Sequence, residues 1–175
     1  MKEKIQNFWY YYKVPVIIVI VIAAVGVYLL TQQQTVHNDY DAAIVSPAGC
    51  SEEQMTQLQS ILEAAGSDQD GDGAVTAAVH VYRFALGEAG QDSEAVAGLD
   101  ADLVGKVSGL FFVDSPEKFE EATNGIGRAA DARPVNELPV LSDCGFDDLY
   151  MLVRNGADDK YHALLNTLIQ TDDSK

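Results

Sequence analysis

Residues Val14 to Leu30 read VPVIIVIVIAAVGVYLL, 17 residues without a charge. No other feature restricts the chain as much. A run this long and this apolar has no place on a water-facing surface, and it predicts a membrane-spanning helix over 14–30. At 1.5 Å per residue it covers about 25 Å, a little short of a ~30 Å hydrocarbon core. Phe8 to Tyr12 (FWYYY) precede it and suit the headgroup level. With Lys13 snorkelling, a count from Phe8 makes up the length. Pro15 falls near the first turn, where its missing N–H does little harm. Lys2, Lys4 and Lys13 lie on the N-terminal side, whereas the following TQQQTVHNDYD has no basic residue. The positive-inside rule therefore predicts a cytoplasmic N-terminus and an exported remainder from about Thr31. The competing assignment is a cleaved signal peptide. Its apolar region would be shorter and would end in a small-residue site. Here the run leaves through Tyr28-Leu29-Leu30-Thr31, and the first cysteine is as far away as Cys50. An uncleaved single-pass anchor in a cell membrane is the better reading.

The chain then divides into a cytoplasmic N-terminus with its aromatic interface (1–13), a transmembrane helix (14–30), a glutamine-rich stalk (31–38) and an extracytoplasmic domain (39–175). Over all 175 residues, 11 Lys and Arg stand against 27 Asp and Glu, a net charge of −16. The first 31 residues hold three lysines and one glutamate, so the remainder has 8 basic and 26 acidic residues and a net charge of −18. Such a field excludes binding to a nucleic-acid backbone and adhesion to anionic lipid beyond the inserted segment. The 47% hydrophobic content is enough for a packed core.

The exported part alternates strand and helix patterns. Asp39 to Ser46 is a short β-branched run. Ser51 with Gln54 three residues on makes a capping-box pattern, and Met55, Leu58, Ile61, Leu62 and Ala65 follow at helical spacing up to Gly66, a natural stop. Val75 to Phe84 reads as a strand apolar on both faces. Ser93 to Lys106 reads as a helix with Val96, Leu99, Leu103 and Val104 as its stripe. Ser108 to Val113 is apolar throughout and suits a central strand. Ser115 and Pro116 open a short third helix. From Asn124 to Gly145 the chain reads mainly as loop, with a short extended piece at Leu138 to Leu141. Leu149 to Arg154 is a fourth strand. Asp158 or Asp159 caps a last helix with Tyr161, Leu164, Leu165, Leu168 and Ile169 on one face. This order predicts a three-layer α/β domain with a mostly parallel sheet of about four strands.

Asp68-Gln69-Asp70-Gly71-Asp72-Gly73 follows D-x-D-x-D-G, the start of a calcium loop. Calcium takes several hard oxygens, and carboxylates at alternate positions converge only if the chain turns sharply, as the glycine at the sixth position allows. The ligands would be Asp68, Asp70 and Asp72, the backbone carbonyl of Ala74, and Thr76 directly or through water. The twelfth position should be a bidentate glutamate and is Val79. The missing ligand must come from elsewhere, with Glu88, Asp92 and Glu94 as candidates after the next strand. The plainer alternative is an acidic surface turn, since Asp and Gly are common turn residues.

Two cysteines, Cys50 and Cys144, are a pair that could bridge outside the cytoplasm. They follow the first strand and precede the fourth, which are opposite ends of a parallel sheet unless the long loop carries Cys144 back. The alternative is two thiols. His37, His80 and His162 are scattered, and Asp147-Asp148 and Asp158-Asp159 read as helix caps rather than catalytic pairs.

The opening MKEKIQNFWYYYKVPVIIVIVI, followed by the DYD strand, resembles small uncharacterised single-pass bacterial membrane proteins. The stretch LDADLVGKVSGLFFVDSPEKFEEA resembles one lobe of type 2 periplasmic substrate-binding proteins. A loop leading from a helix into a strand is similar to the calcium loop of periplasmic sugar-binding proteins, where a distant glutamate completes the site, and its front half resembles dockerin loops. A full binding protein has two lobes and roughly twice this length, so this chain corresponds to one. Together these imply a membrane-anchored extracytoplasmic binding or interaction module for an unidentified small molecule or envelope protein. The membrane is met through the N-terminal helix, and calcium stiffens one loop. Doubly wound sheets bind ligands at their C-terminal strand ends. Those ends include Phe84 to Asp92, and the ligand residues would be Ser46, Gly49, Ser51, Asp114 and Ser115, with the helix after Ser51 suited to a small anion. The alternatives are a cell-envelope enzyme, marked by a pocket around Cys144, Asp143 or Asp147, and an accessory subunit of a membrane complex.

Overall fold

The first expected strand forms as β1, Tyr40–Val45, and the fold is arranged around it. In the computed structural model, residues 38–87, 93–146 and 148–170 are described. The expected anchor, its aromatic flank and almost all of the stalk lie outside them, as do Glu88 and Asp92. Among the described residues no helix is long and apolar enough to cross a membrane.

Ala42, Ala43, Ile44 and Val45 are completely buried, because β1 is covered on both faces and both edges. Alternate side chains enter two cores. Tyr40, Ala42 and Ile44 pack with Leu58 and Leu62 of α1 (Glu52–Ala65) and with Tyr161, Leu164 and Leu168 of α4 (Asp159–Gln170). Ala43 and Val45 pack with Leu99 of α2 (Ser93–Gly105) and Phe119 of α3 (Pro116–Ala122). Each large side chain so buried contributes about 1.5–3 kcal/mol. The result is a three-layer mixed α/β domain.

The remaining strands are β2 (Ala77–Tyr82), β3 (Leu110–Val113), β4 (Arg133–Pro134) and β5 (Tyr150–Val153). The sheet order is β2-β1-β3-β5-β4. β3 is central, as its unbroken apolarity required. β1 is parallel to β2 and β3, with Tyr40 opposite Ala77 and Val45 opposite Val113. The sheet is mostly parallel, but it has five strands rather than four, and β5 runs against its neighbours, with Val113 opposite Tyr150. The additional strand, β4, is short because Pro134 has no N–H to continue a ladder, which confines it to an edge.

The capping box of α1 is complete. Gln54 N donates to Ser51 Oγ at 3.2 Å, and Ser51 N donates to Gln54 Oε1 at 3.0 Å. Gly66 ends the helix, but with extended backbone rather than the left-handed turn usual for glycine there. Its small size serves another purpose: a Cβ would run into the ring of Tyr40. On α2 the expected stripe is rotated. Val104 is 85% exposed, and Asp102 is buried instead. Asp102 accepts from Ser108 N at 2.8 Å, Ser108 Oγ at 2.6 Å and Tyr82 Oη at 3.0 Å, so a side-chain network turns this face inward.

The stretch read as loop is ordered by a different period. Val135, Leu138, Leu141 and Cys144 are all buried and recur every three residues, the period of a 3₁₀-helix. Short 3₁₀ turns occur at Val135–Glu137 and Ser142–Cys144. Leu138 to Leu141 is accordingly turn and not an extended piece. This apolar edge packs on the α1–α4 side of the sheet, and it returns the chain at the same sheet end, so that β5 enters antiparallel.

Gly109 stands where β1, β5 and α4 meet. It donates to Asp41 O at 3.0 Å, its carbonyl accepts from Arg154 N at 2.9 Å, and the Tyr161 ring fills the space a Cβ would take. Gly109→Ala is expected to cost about 1–3 kcal/mol in urea unfolding through overpacking. An unchanged midpoint would contradict this packing.

Candidate functional site

Two regions flank β1, one at each end. At its start, the parallel pairing with β2 brings Asp39 beside the loop that leads into β2. Tyr40 N donates to Thr76 O at 3.1 Å, and Asp39 N donates to Thr76 Oγ1 at 3.3 Å. The Asp39 carboxylate is 3% exposed. It accepts from Gln69 N at 2.7 Å on one oxygen and from Thr76 N at 2.8 Å on the other, which also lies 3.3 Å from Thr76 Oγ1. The Thr76 N–H holds its pKa below the ordinary carboxylate value, against burial, which pushes it up, and the Gln69 N–H adds to the lowering.

The loop itself is folded by its own carboxylates. Asp68 accepts from Gly71 N at 2.6 Å and Gly73 N at 2.9 Å. The Gly73 and Gly71 N–H groups lower its pKa in turn. Asp70 accepts from Asp72 N at 3.0 Å, and Asp72 from Ala74 N at 2.8 Å. Gly71 and Gly73 have φ of +80° and +89°, the left-handed region that the sharp turn demands of glycine. One oxygen each from Asp39, Asp68 and Asp70 come within 4.8 Å of one another, a group that could hold a metal ion. A carboxylate oxygen that accepts an N–H keeps lone pairs for a cation. Three hard carboxylate donors fit calcium or magnesium rather than a soft metal.

Of the expected ligands, Asp68 and Asp70 therefore meet, and the third carboxylate is Asp39. Asp72 accepts from the Ala74 N–H and is not in this group, and Thr76 supports Asp39. Among the candidates for the missing ligand, Glu94 lies on α2 and is not in this group. The signal for Asp39 was available: an acid directly before one strand and an acidic loop directly before the next become neighbours when the two strands pair in parallel. Of the described histidines, His80 and His162, neither joins the group. His80 Nε2 lies 3.5 Å from Asp41 Oδ1, and His162 is exposed on α4.

At the other end of β1 is a cleft of about 540 Å³. Ser46, Gly49, Ser51 and Asp114 line it, as expected from the strand ends, together with Cys50, Gln54, Phe146 and Asp148. Ser115 is not in the lining; it is the N-cap of α3. Its far wall, formed by Gly145, Phe146, Asp148 and Leu149, is there because β5 runs antiparallel. Gln54 ties the walls together, with Nε2 donating to Cys144 O at 3.2 Å and to Gly145 O at 3.1 Å. The capping box occupies the Ser51 and Gln54 N–H groups, leaving those of Glu52 and Glu53 at the mouth of α1. Among the described residues no basic side chain is in the lining of the cleft. Cys144 is 2% exposed, Asp147 lies outside the described residues, and so does the side chain of Asp143.

No protein-family model, curated protein or solved structure matches the chain.

The lowered pKa of Asp39 sets a sign. Its contribution to stability is fully present above the ordinary value of 3.8 and is lost as pH falls through its lower folded-state value. Asp39→Asn turns an NH₂ toward one of two backbone donors. It is expected to cost about 1–3 kcal/mol at neutral pH. In urea unfolding this difference should shrink below about pH 3.8. A difference that persists undiminished in acid would contradict the assignment.

Proposed function

We propose that this chain is a membrane-anchored extracytoplasmic binding module. Its α/β domain takes a small polar solute at the cleft and is stiffened at the opposite end by calcium. The anchor and the outward topology rest on the apolar run at 14–30 and on the lysines placed only before it. The observation that carries the binding role is the cleft, since four of the five residues expected from the strand ends line one concavity there. Doubly wound sheets bind at such ends. Its chemistry favours a neutral or zwitterionic solute over a simple anion. Asp114 and Asp148 offer acceptors, and the hydroxyls of Ser46 and Ser51 offer both donors and acceptors.

Calcium is the favoured ion because two carboxylates of a glycine-turned loop converge with that of Asp39, an all-oxygen set that suits its loose coordination. The role is structural: the ion would fasten the start of β1 to the start of β2 and relieve repulsion among Asp39, Asp68 and Asp70.

Two measurements test the reading. In thermal unfolding of the full chain in detergent, millimolar calcium should raise the midpoint over a chelator control. The gain should be about 1.4 kcal/mol at ten times Kd. Asp70→Ala should abolish it. No shift, or the same shift in Asp70→Ala, would remove the calcium assignment. For the cleft, amino acids, polyols, sugars and small amines at millimolar concentration serve as probes. One class should raise the midpoint of the wild type and not that of Asp114→Ala. No response from any class, or a response unchanged in Asp114→Ala, would contradict the binding role.

A further inference from the structure

The topology brings the two cysteines to one end of the sheet. Cys50 follows β1 and Cys144 precedes β5, positions that a parallel β5 would have separated by the length of the sheet. With β5 antiparallel, Val113 pairs with both Val45 and Tyr150. The end of β1 and the start of β5 therefore flank the same end of β3. Gln54 then narrows the gap. Its Oε1 accepts from the N–H of the peptide joining Cys50 to Ser51, at 3.0 Å, and its Nε2 donates to the Cys144 carbonyl, at 3.2 Å. A single carboxamide lies between the two backbones. Both side chains enter the same core, on the α1–α4 face, with 8% and 2% exposure. Arg83 Nη2 donates to the Cys50 carbonyl at 3.0 Å and anchors that segment. Burial pushes the Cys50 thiol above its ordinary pKa.

We propose that Cys50 and Cys144 form an intramolecular disulfide that clasps the β1–α1 turn to the segment before β5, beneath the cleft. In this structure Cys50 is a thiol. The oxidant is a small disulfide of the glutathione class. Cys50 is among the residues lining the cleft and is the more exposed of the two cysteines, so such a reagent meets it first. Its thiolate attacks the reagent's S–S bond, forming a mixed disulfide and expelling one thiolate, which takes up a proton. The Cys144 thiolate then attacks the Cys50 sulfur, and the second reagent thiol leaves. Two protein thiols lose two electrons and two protons, and one reagent disulfide becomes two thiols. The bond closes a loop of about 93 residues, long enough to restrict the unfolded chain strongly. An extracytoplasmic location lets such a bond persist. It stands independently of any ligand in the cleft.

The test uses the full chain in detergent, incubated with oxidised glutathione, then denatured and treated with N-ethylmaleimide before mass spectrometry. The expected product takes up no maleimide, weighs two hydrogens less than the reduced chain, and yields one peptide pair joined through Cys50 and Cys144. Its unfolding midpoint should exceed that of the reduced chain by roughly 10 °C. Cys50→Ala should show no difference between oxidised and reduced samples. The thiol count on the wild type decides the matter even if that variant fails to fold. Maleimide on both cysteines, glutathione retained on either, or a bond between two chains would overturn the proposal.

Discussion

Burial of β1 on every side is the constraint on which the rest of the structure depends. Its central residues have no contact with solvent, and they alternate between two cores. A strand so placed cannot slip by one residue without exchanging its two faces. Its register therefore fixes the positions of β2 and β3, and through them the helices on both sides. Gly109 and Gly66 mark where this packing is closest, each against a tyrosine ring.

Both candidate sites are consequences of that strand's ends. At the start, parallel pairing sets Asp39 against the acidic loop, and at the finish it opens the cleft. The two ends differ in chemistry. The first gathers carboxylates and holds them with backbone N–H groups, so its negative charge is partly balanced before any cation arrives. The second mixes hydroxyls, two carboxylates and a helix mouth around an open concavity.

What could be read from the residues was what depends on near neighbours. The strand at β1, the capping box of α1, Pro116 at the start of α3 and the apolar face of α4 all follow from spacing within a few residues. Strand direction does not. Nothing local in Tyr150 to Val153 distinguishes a parallel from an antiparallel strand, and that one reversal brings Phe146, Asp148 and Leu149 to the cleft and Cys144 to the end where Cys50 lies. The three-residue recurrence from Val135 to Cys144 was present in the residues, but it matches neither the helical nor the strand period and passed for loop. The inward turn of Asp102 in place of Val104 depended on Ser108 and Tyr82, partners from other elements. Asp39 was legible only to a reader who paired the first two strands before looking for the missing ligand.

The central claim is that the parallel start of β1 and β2 completes a cation site from Asp39 and the acidic loop. A crystal structure of the chain grown in millimolar calcium, with the ion identified by its anomalous scattering, tests this most directly. The expected result is one ion bound by carboxylate oxygens of Asp39, Asp68 and Asp70. A loop without an ion under those conditions, or an ion held there without Asp39, would contradict it.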